Sequence, residues 1–203
     1  ASYDESTIGG NVAENAGGLR CKRFGVTKDY VIGLRAVTAD GRILKTGIYN
    51  ENRGFALADV IIGSEGTLAV ITEIAVRLIP TPAVGDTILV AFENPKNAAQ
   101  TVSDITRAGI VLTVMEYLDG DAAACSNQYE RTEGIDNAAA ILLFETPAEK
   151  RPEITGAIRA FCEKNRCSYL RVENDASRAE SLWRVRRNLS KAVKEIAEIR
   201  ISE

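Results

Sequence analysis

The sequence predicts a chain in which helix and strand are mixed and divided between two parts. Three observations carry that expectation. Residues 31–46 and 67–78 are rich in β-branched and apolar side chains and are separated by glycine-bearing loops, a composition that suits strands. Pro80 and Pro82 then end any strand, because proline lacks the N–H that a ladder needs. Beyond them, apolar runs alternate with helix-period segments to the end of the chain. With 203 residues there is length for one or two domains with cores of their own, and the parts are expected at 1–81 and 82–203.

The first part opens on Thr7-Ile8-Gly9-Gly10-Asn11-Val12-Ala13-Glu14-Asn15-Ala16-Gly17-Gly18. Glycine pairs let the backbone take positive φ and let another surface reach the main chain. Two pairs this close offer a run of N–H groups suited to an anion or the rim of a heterocycle, with no Lys or Arg to assist. The same residues also fit a turn and a short helix over 11–15, capped by Gly17, that needs no ligand. The stretch is neither a P-loop nor a Gly-x-Gly-x-x-Gly fingerprint. Next, residues 31–38 predict a strand, Asp40-Gly41 a hairpin turn, and 42–46 the returning strand. Residues 55–60 predict a short helix or turn. Gly63-Ser64-Glu65-Gly66 follows the apolar Val60-Ile61-Ile62 and, taken alone, is a plain β-turn. Residues 67–78 are expected as one strand, with Leu68, Val70, Ile74, Val76 and Leu78 on one face and Thr72 interrupting it.

The second part predicts strands at 87–92, 111–117, 138–145 and 169–172. Helices are expected at 97–108 (ended by Gly109), 119–129, 148–164 and, as one long helix, 176–199. Such alternation fits either a parallel doubly wound sheet or a split βαβ, ferredoxin-like sheet. No phosphate-binding glycine turn follows these strands, which weakens a nucleotide-binding role for this part. On the last helix, Trp183-Arg184-Val185-Arg186-Arg187-Asn188-Leu189-Ser190 places three arginines within four positions, which cannot all share one face. Arg186 and Ser190, four apart, can. The alternative is a solvated face laced with Glu180, Glu195 and Glu198, and Trp183 is expected in the core.

Composition removes whole classes of chemistry. The chain has no histidine, which excludes Ser-His-Asp and Cys-His nucleophiles, His-ligated zinc and imidazole acid–base catalysis. Chemistry must come from carboxylates, Lys, Arg or Tyr, or from a cofactor. A net charge of −3 with both signs interspersed gives no sign of nucleic acid or an anionic membrane as partner. No apolar run is long enough to span a bilayer and no signal peptide opens the chain, so the expected location is cytoplasmic. Cys21, Cys125, Cys162 and Cys167 have no Cys-x-x-Cys spacing and are expected to be unbridged.

Taken together, Thr7-Ile8-Gly9-Gly10-Asn11 with Asn15-Ala16-Gly17-Gly18, and then Gly63-Ser64-Glu65-Gly66-Thr67-Leu68-Ala69-Val70-Ile71-Thr72, resemble the FAD-linked oxidases of the vanillyl-alcohol oxidase (PCMH) type. The branch is that of the glycolate oxidase flavin subunit, D-lactate dehydrogenase and D-2-hydroxyglutarate dehydrogenase. The resemblance implies an α+β chain: the second half of a PCMH-type FAD-binding domain over 1–81, then part of a ferredoxin-like antiparallel sheet covered by helices over 82–203. Against the family's length, the chain is expected to be a fragment truncated at both ends.

The same resemblance implies the site. Ser6 and Thr7 would contribute hydroxyl and backbone contacts to the flavin or its diphosphate, and Gly9 and Gly10 would allow close approach. Glu14, Asn15, Ala16 and Gly17 would form a second lining segment. Glu65, Gly66, Thr67, Leu68, Ala69, Val70 and Ile71 would form a third, with the main chain of Val70 and Ile71 toward the adenine or ribose. Ala69 departs from the family's usual glycine, and its methyl would shift the cofactor or require a relaxed φ. In the second part, Arg186 would bind a substrate carboxylate with Ser190 assisting; a guanidinium fork meets a carboxylate bidentately and keeps its charge.

The implied activity is oxidation of a small 2-hydroxy acid by hydride transfer to flavin. The electrons would pass on to a quinone, a cytochrome, an iron–sulfur subunit or oxygen. The family's metal site and base lie beyond Glu203, so neither a metal site nor a catalytic residue is assigned here. The fragment alone is expected to be inactive and to bind FAD weakly or not at all. A homodimer is left open. Two further readings stand beside this one: a non-catalytic α+β protein-interaction module, and a related FAD enzyme acting on alcohols or alkyl-glycerone phosphate.

Overall fold

A computed structural model describes residues 5–50 and 56–196. The chain forms two units that meet in sequence at Thr81 and Pro82. The first holds α1 (Ile8–Glu14), α2 (Cys21–Phe24), β1 (Val31–Thr38), β2 (Ile43–Lys45), α3 (Ala58–Ile61) and β3 (Ala69–Val76). The second holds β4 (Thr87–Phe92), α4 (Pro95–Arg107), β5 (Val114–Asp119), α5 (Gly120–Tyr129), β6 (Ala140–Glu145), α6 (Arg151–Lys164), β7 (Tyr169–Glu173), α7 (Ala176–Arg187) and α8 (Leu189–Ile196).

In the first unit the strands lie antiparallel in the order β2-β1-β3. The β1–β2 hairpin turns at Asp40-Gly41, where Gly41 has φ 81° and the Gly41 N–H donates to the Thr38 carbonyl. Leu34 and Ala36 face a small core made with Val12, Ile61, Ile62 and Ala69. The face expected along β3 needs correcting. Arg35 opposes Glu73 while the next residue, Ala36, opposes Ile71, so Thr72 is an extra residue in a β-bulge. Its hydroxyl donates to the Arg35 carbonyl at 3.2 Å. The bulge shifts the alternation by one: Ala69, Ile71 and Ile74 pack inward, whereas Val70 stays 67% exposed.

The second unit is a four-stranded antiparallel sheet in the order β5-β6-β4-β7. That order interleaves two split βαβ units, the ferredoxin-like arrangement, with α5 inserted where a hairpin would stand. Both central strands are buried along their whole length, so both sheet faces are covered. Ile88, Val90, Phe92, Leu142 and Phe144 pack with Ala98 and Ile105 of α4 and with Ile158 and Cys162 of α6. On the other face lie α5 and α7, with Trp183 Nε1 donating to Thr87 Oγ1 at 3.2 Å. The single helix expected over 176–199 is interrupted at Asn188, between α7 and α8; residues 197–199 lie outside the described residues. Asparagine is a weak helix former, and the Asn188 carboxamide donates to Glu130 Oε2 at 2.7 Å on the end of α5.

Candidate functional site

The first unit brings its two glycine motifs into contact. Thr7 caps α1, its hydroxyl accepting from the Gly10 N–H at 3.0 Å. The helix starts at Ile8 and ends at Asn15, which takes the left-handed conformation at φ 50°. The helix predicted over 11–15 and capped by Gly17 therefore lies one turn earlier, and the side chain that can cap it decides where it starts. Past its end, the Asn15 carboxamide accepts from the Lys28 N–H at 2.9 Å, and the Thr27 hydroxyl donates to the Ala16 carbonyl at 2.8 Å. Gly17 is packed closely enough that a Cβ would stand 3.2 Å from Val26.

The second motif docks on the end of this helix. The Gly63 N–H donates to the Val12 carbonyl at 3.1 Å and the Glu65 N–H to the Ala13 carbonyl at 2.9 Å. These acceptors belong to the last turn, where helix carbonyls lack intrahelical donors. Gly63 (φ 80°), Glu65 (φ 51°) and Gly66 (φ 74°) all hold left-handed backbone, and Thr67 closes the turn onto the Ser64 carbonyl at 2.9 Å. The segments 12–13 and 63–65 are thus neighbours, although they are far apart along the chain.

These bonds also sort the amides. Those of Gly10, Asn15, Ala16, Gly63, Glu65 and Thr67 are spent on protein acceptors. By helix geometry, the N–H groups of Ile8 and Gly9 in the first turn of α1 have no intrahelical acceptor. In the same two motifs several aliphatic side chains are exposed, Ile8 by 57%, Leu68 by 50% and Val70 by 67%. A Cβ on Gly18 or Gly66 would meet nothing within 4 Å. Ala69 is buried in the core beside Val12, so its methyl points away from this surface. Glu14 and Glu65 are exposed, and Ser6 lies exposed just before the cap. Backbone N–H groups, glycine and aliphatic side chains there can meet a planar ring and the neutral parts of a dinucleotide, while the exposed Glu14 and Glu65 carboxylates disfavour a diphosphate close to them.

In the second unit, α7 is launched by Asp175, whose carboxylate accepts from the N–H groups of Ser177 (3.0 Å) and Arg178 (3.1 Å). The Ser177 hydroxyl, followed by the Arg178 N–H, holds the Asp175 carboxyl below the usual carboxylate range. The Ser126 hydroxyl of α5 donates to the Val185 carbonyl at 2.6 Å, and Trp183 is buried. These contacts fix the helix that carries Arg186. Its Nε donates to Glu116 Oε2 of β5 at 2.8 Å, with the Arg186 side chain 38% exposed. Arg184 pairs with Glu130 at 2.9 Å, and Arg187 with Glu180. Arg186 and Ser190 are on different helices, either side of Asn188, rather than on one continuous face. The sequence reading missed Glu116 and Glu130, which reach the arginines from a strand and helix far upstream and leave no short-range signal. Among the described residues, no group of His, Cys, Asp and Glu side chains is arranged to hold a metal.

Comparison with known proteins gives this arrangement a family. The model of the C-terminal domain of FAD linked oxidases matches residues 81–203, and an FAD binding domain model matches residues 1–47. The chain belongs to the FAD-linked oxidase family. It is 39% identical over 197 residues to the glycolate oxidase subunit GlcD of Bacillus subtilis (strain 168), covering 95% of this chain and 42% of that protein. It is 29% identical over 200 residues to a D-lactate dehydrogenase of Anaerostipes hadrus, covering 93% of this chain and 42% of that one. It thus spans less than half the length of these relatives. A solved alkyldihydroxyacetonephosphate synthase superposes with a TM-score of 0.67 at 20% identity, over 92% of this chain and 38% of that one, a likeness of fold alone.

Proposed function

We propose that this chain is part of an FAD-dependent oxidoreductase that oxidises a small 2-hydroxy acid of the glycolate, D-lactate or D-2-hydroxyglutarate class. Residues 1–81 are then the C-terminal part of the FAD-binding domain, and 82–203 the N-terminal part of the substrate domain. The observation that carries this reading is the docking of the 63–66 turn on the last turn of α1, which joins the two glycine motifs. The names of the two relatives support the substrate class.

FAD, when bound, supplies the two-electron acceptor that the side chains here cannot provide. The chain's part is to bind and orient. Ser6 and Thr7 present hydroxyls, Ile8 and Gly9 first-turn N–H groups, and Gly9 and Gly10 allow close approach, while Glu14 to Gly17 and Glu65 to Ile71 line the adjoining surface, Ala69 and Ile71 by main chain alone. Arg186 holds the substrate carboxylate through its planar guanidinium; Ser190 adds a hydroxyl. The intact protein passes electrons to a quinone, a cytochrome, an iron–sulfur subunit or oxygen, and works in the cytoplasm. No helix among the described residues is long and apolar enough to cross a membrane.

The test is spectroscopic. The purified chain mixed with FAD is expected to show little protein-bound flavin absorption near about 450 nm, the ordinary flavin band. Adding the complementary N-terminal part of an FAD-binding domain is expected to produce it. A deeply yellow chain on its own would refute the weak-binding expectation. Failure of the mixture to capture flavin at any concentration would refute the FAD reading itself.

A further inference from the structure

We infer that Glu116 determines specificity at Arg186: seated on the Arg186 Nε, it admits a ligand with one carboxylate and disfavours one that carries a second. This rests on the reading of Arg186 as the substrate anchor. A guanidinium offers two bidentate edges, one through Nε and a terminal nitrogen, the other through both terminal nitrogens. Glu116 Oε2 occupies Nε at 2.8 Å, so the terminal edge is the one that faces an incoming carboxylate.

A ligand bound there sits in contact with the cation but only several ångströms from the Glu116 carboxylate. For a single charge, attraction at contact exceeds repulsion at the longer distance. A second carboxylate on the same ligand adds repulsion from Glu116 and needs a cation of its own. The two nearest in sequence are committed: Arg184 to Glu130 at 2.9 Å, and Arg187 to Glu180. Arg186 and Glu116 are 38% and 23% exposed, reachable from solvent yet less screened than a fully exposed pair. The geometry therefore narrows the substrate class from 2-hydroxy acids in general to those with an uncharged tail, such as glycolate or D-lactate.

The test titrates the chain with glycolate, D-lactate and the dicarboxylate D-malate, followed by calorimetry and by the arginine Nε–H resonances. The unaltered chain is expected to bind glycolate about tenfold more tightly than D-malate, a difference of the size set by one extra like charge at this range. In Glu116→Gln, which keeps the hydrogen-bond acceptor and removes the charge, D-malate affinity should rise more than glycolate affinity and close that gap. Glu116→Asp, which keeps the charge, should preserve it, and Trp183 fluorescence reports that each variant is folded. Equal factors for the two ligands in Glu116→Gln, or tighter D-malate binding by the unaltered chain, would overturn the inference while leaving Arg186 as anchor. Glycolate binding that is absent in the unaltered chain, or unchanged in Arg186→Gln, would overturn the anchor and the inference with it.

Discussion

Gly63 shows how much of the first site depends on single backbone conformations. Its φ of 80° aims its N–H at the Val12 carbonyl, and an added Cβ would stand 3.3 Å from the Asn15 Cβ. Gly63→Ala should cost about 1–2 kcal/mol of first-unit stability, the usual penalty for a left-handed L-residue. Thermal unfolding would check this, and an unchanged midpoint would mean that the turn is not held as described. Asparagine tolerates the same region better than most residues, and the Asn15 carboxamide is held there by accepting from the Lys28 N–H of a later turn. The Asp40-Gly41 turn is legible from the sequence, since it needs only neighbours along the chain, whereas a helix read over 11–15 misses the Thr7 cap upstream of it. The partner of Arg186 is not legible either: Glu116 is seventy positions away and is brought close only when β5 and α7 pack in one unit.

Among elements, α4 and α6 are tied by one carboxylate. Asp104 accepts from Lys164 Nζ at 3.0 Å, Asn165 Nδ2 at 3.2 Å and Gln100 Nε2 at 2.8 Å, which together hold its carboxyl down to about 2 from an ordinary 3.8. A folded-state value below the unfolded one means that this group's stabilisation is full above about pH 4 and disappears as pH falls through about 2. Asp104→Asn should accordingly flatten the acid limb of unfolding between those values and leave the pH dependence above it unchanged. A denaturant midpoint measured across pH 2–6 decides it. Strands 87–92 and 138–145 stand out in the sequence because continuous apolar runs mark strands buried on both faces. The bulge at Thr72 and the interruption at Asn188 do not. Each is imposed by a long-range hydrogen bond, to Arg35 and to Glu130, that outweighs a locally regular pattern.

Over the whole molecule, the division at Thr81 and Pro82 gives two units of unequal core. The first buries a handful of aliphatic side chains under short helices, whereas the second buries both faces of its sheet. Pro80 and Pro82 stand at that division, where proline cannot continue a strand. What no pattern along the chain reveals is the strand order β5-β6-β4-β7, because pairing between distant segments is settled by tertiary packing. That order puts β4 and β6 in the middle, each with a partner on both edges. In deuterium-exchange terms, their amides are expected to be the last to exchange, opening only when the whole second unit unfolds. Slower exchange in β2 than in β4 would contradict this. Because those amides report global opening, an anion that protects them without touching them must be stabilising the unit as a whole.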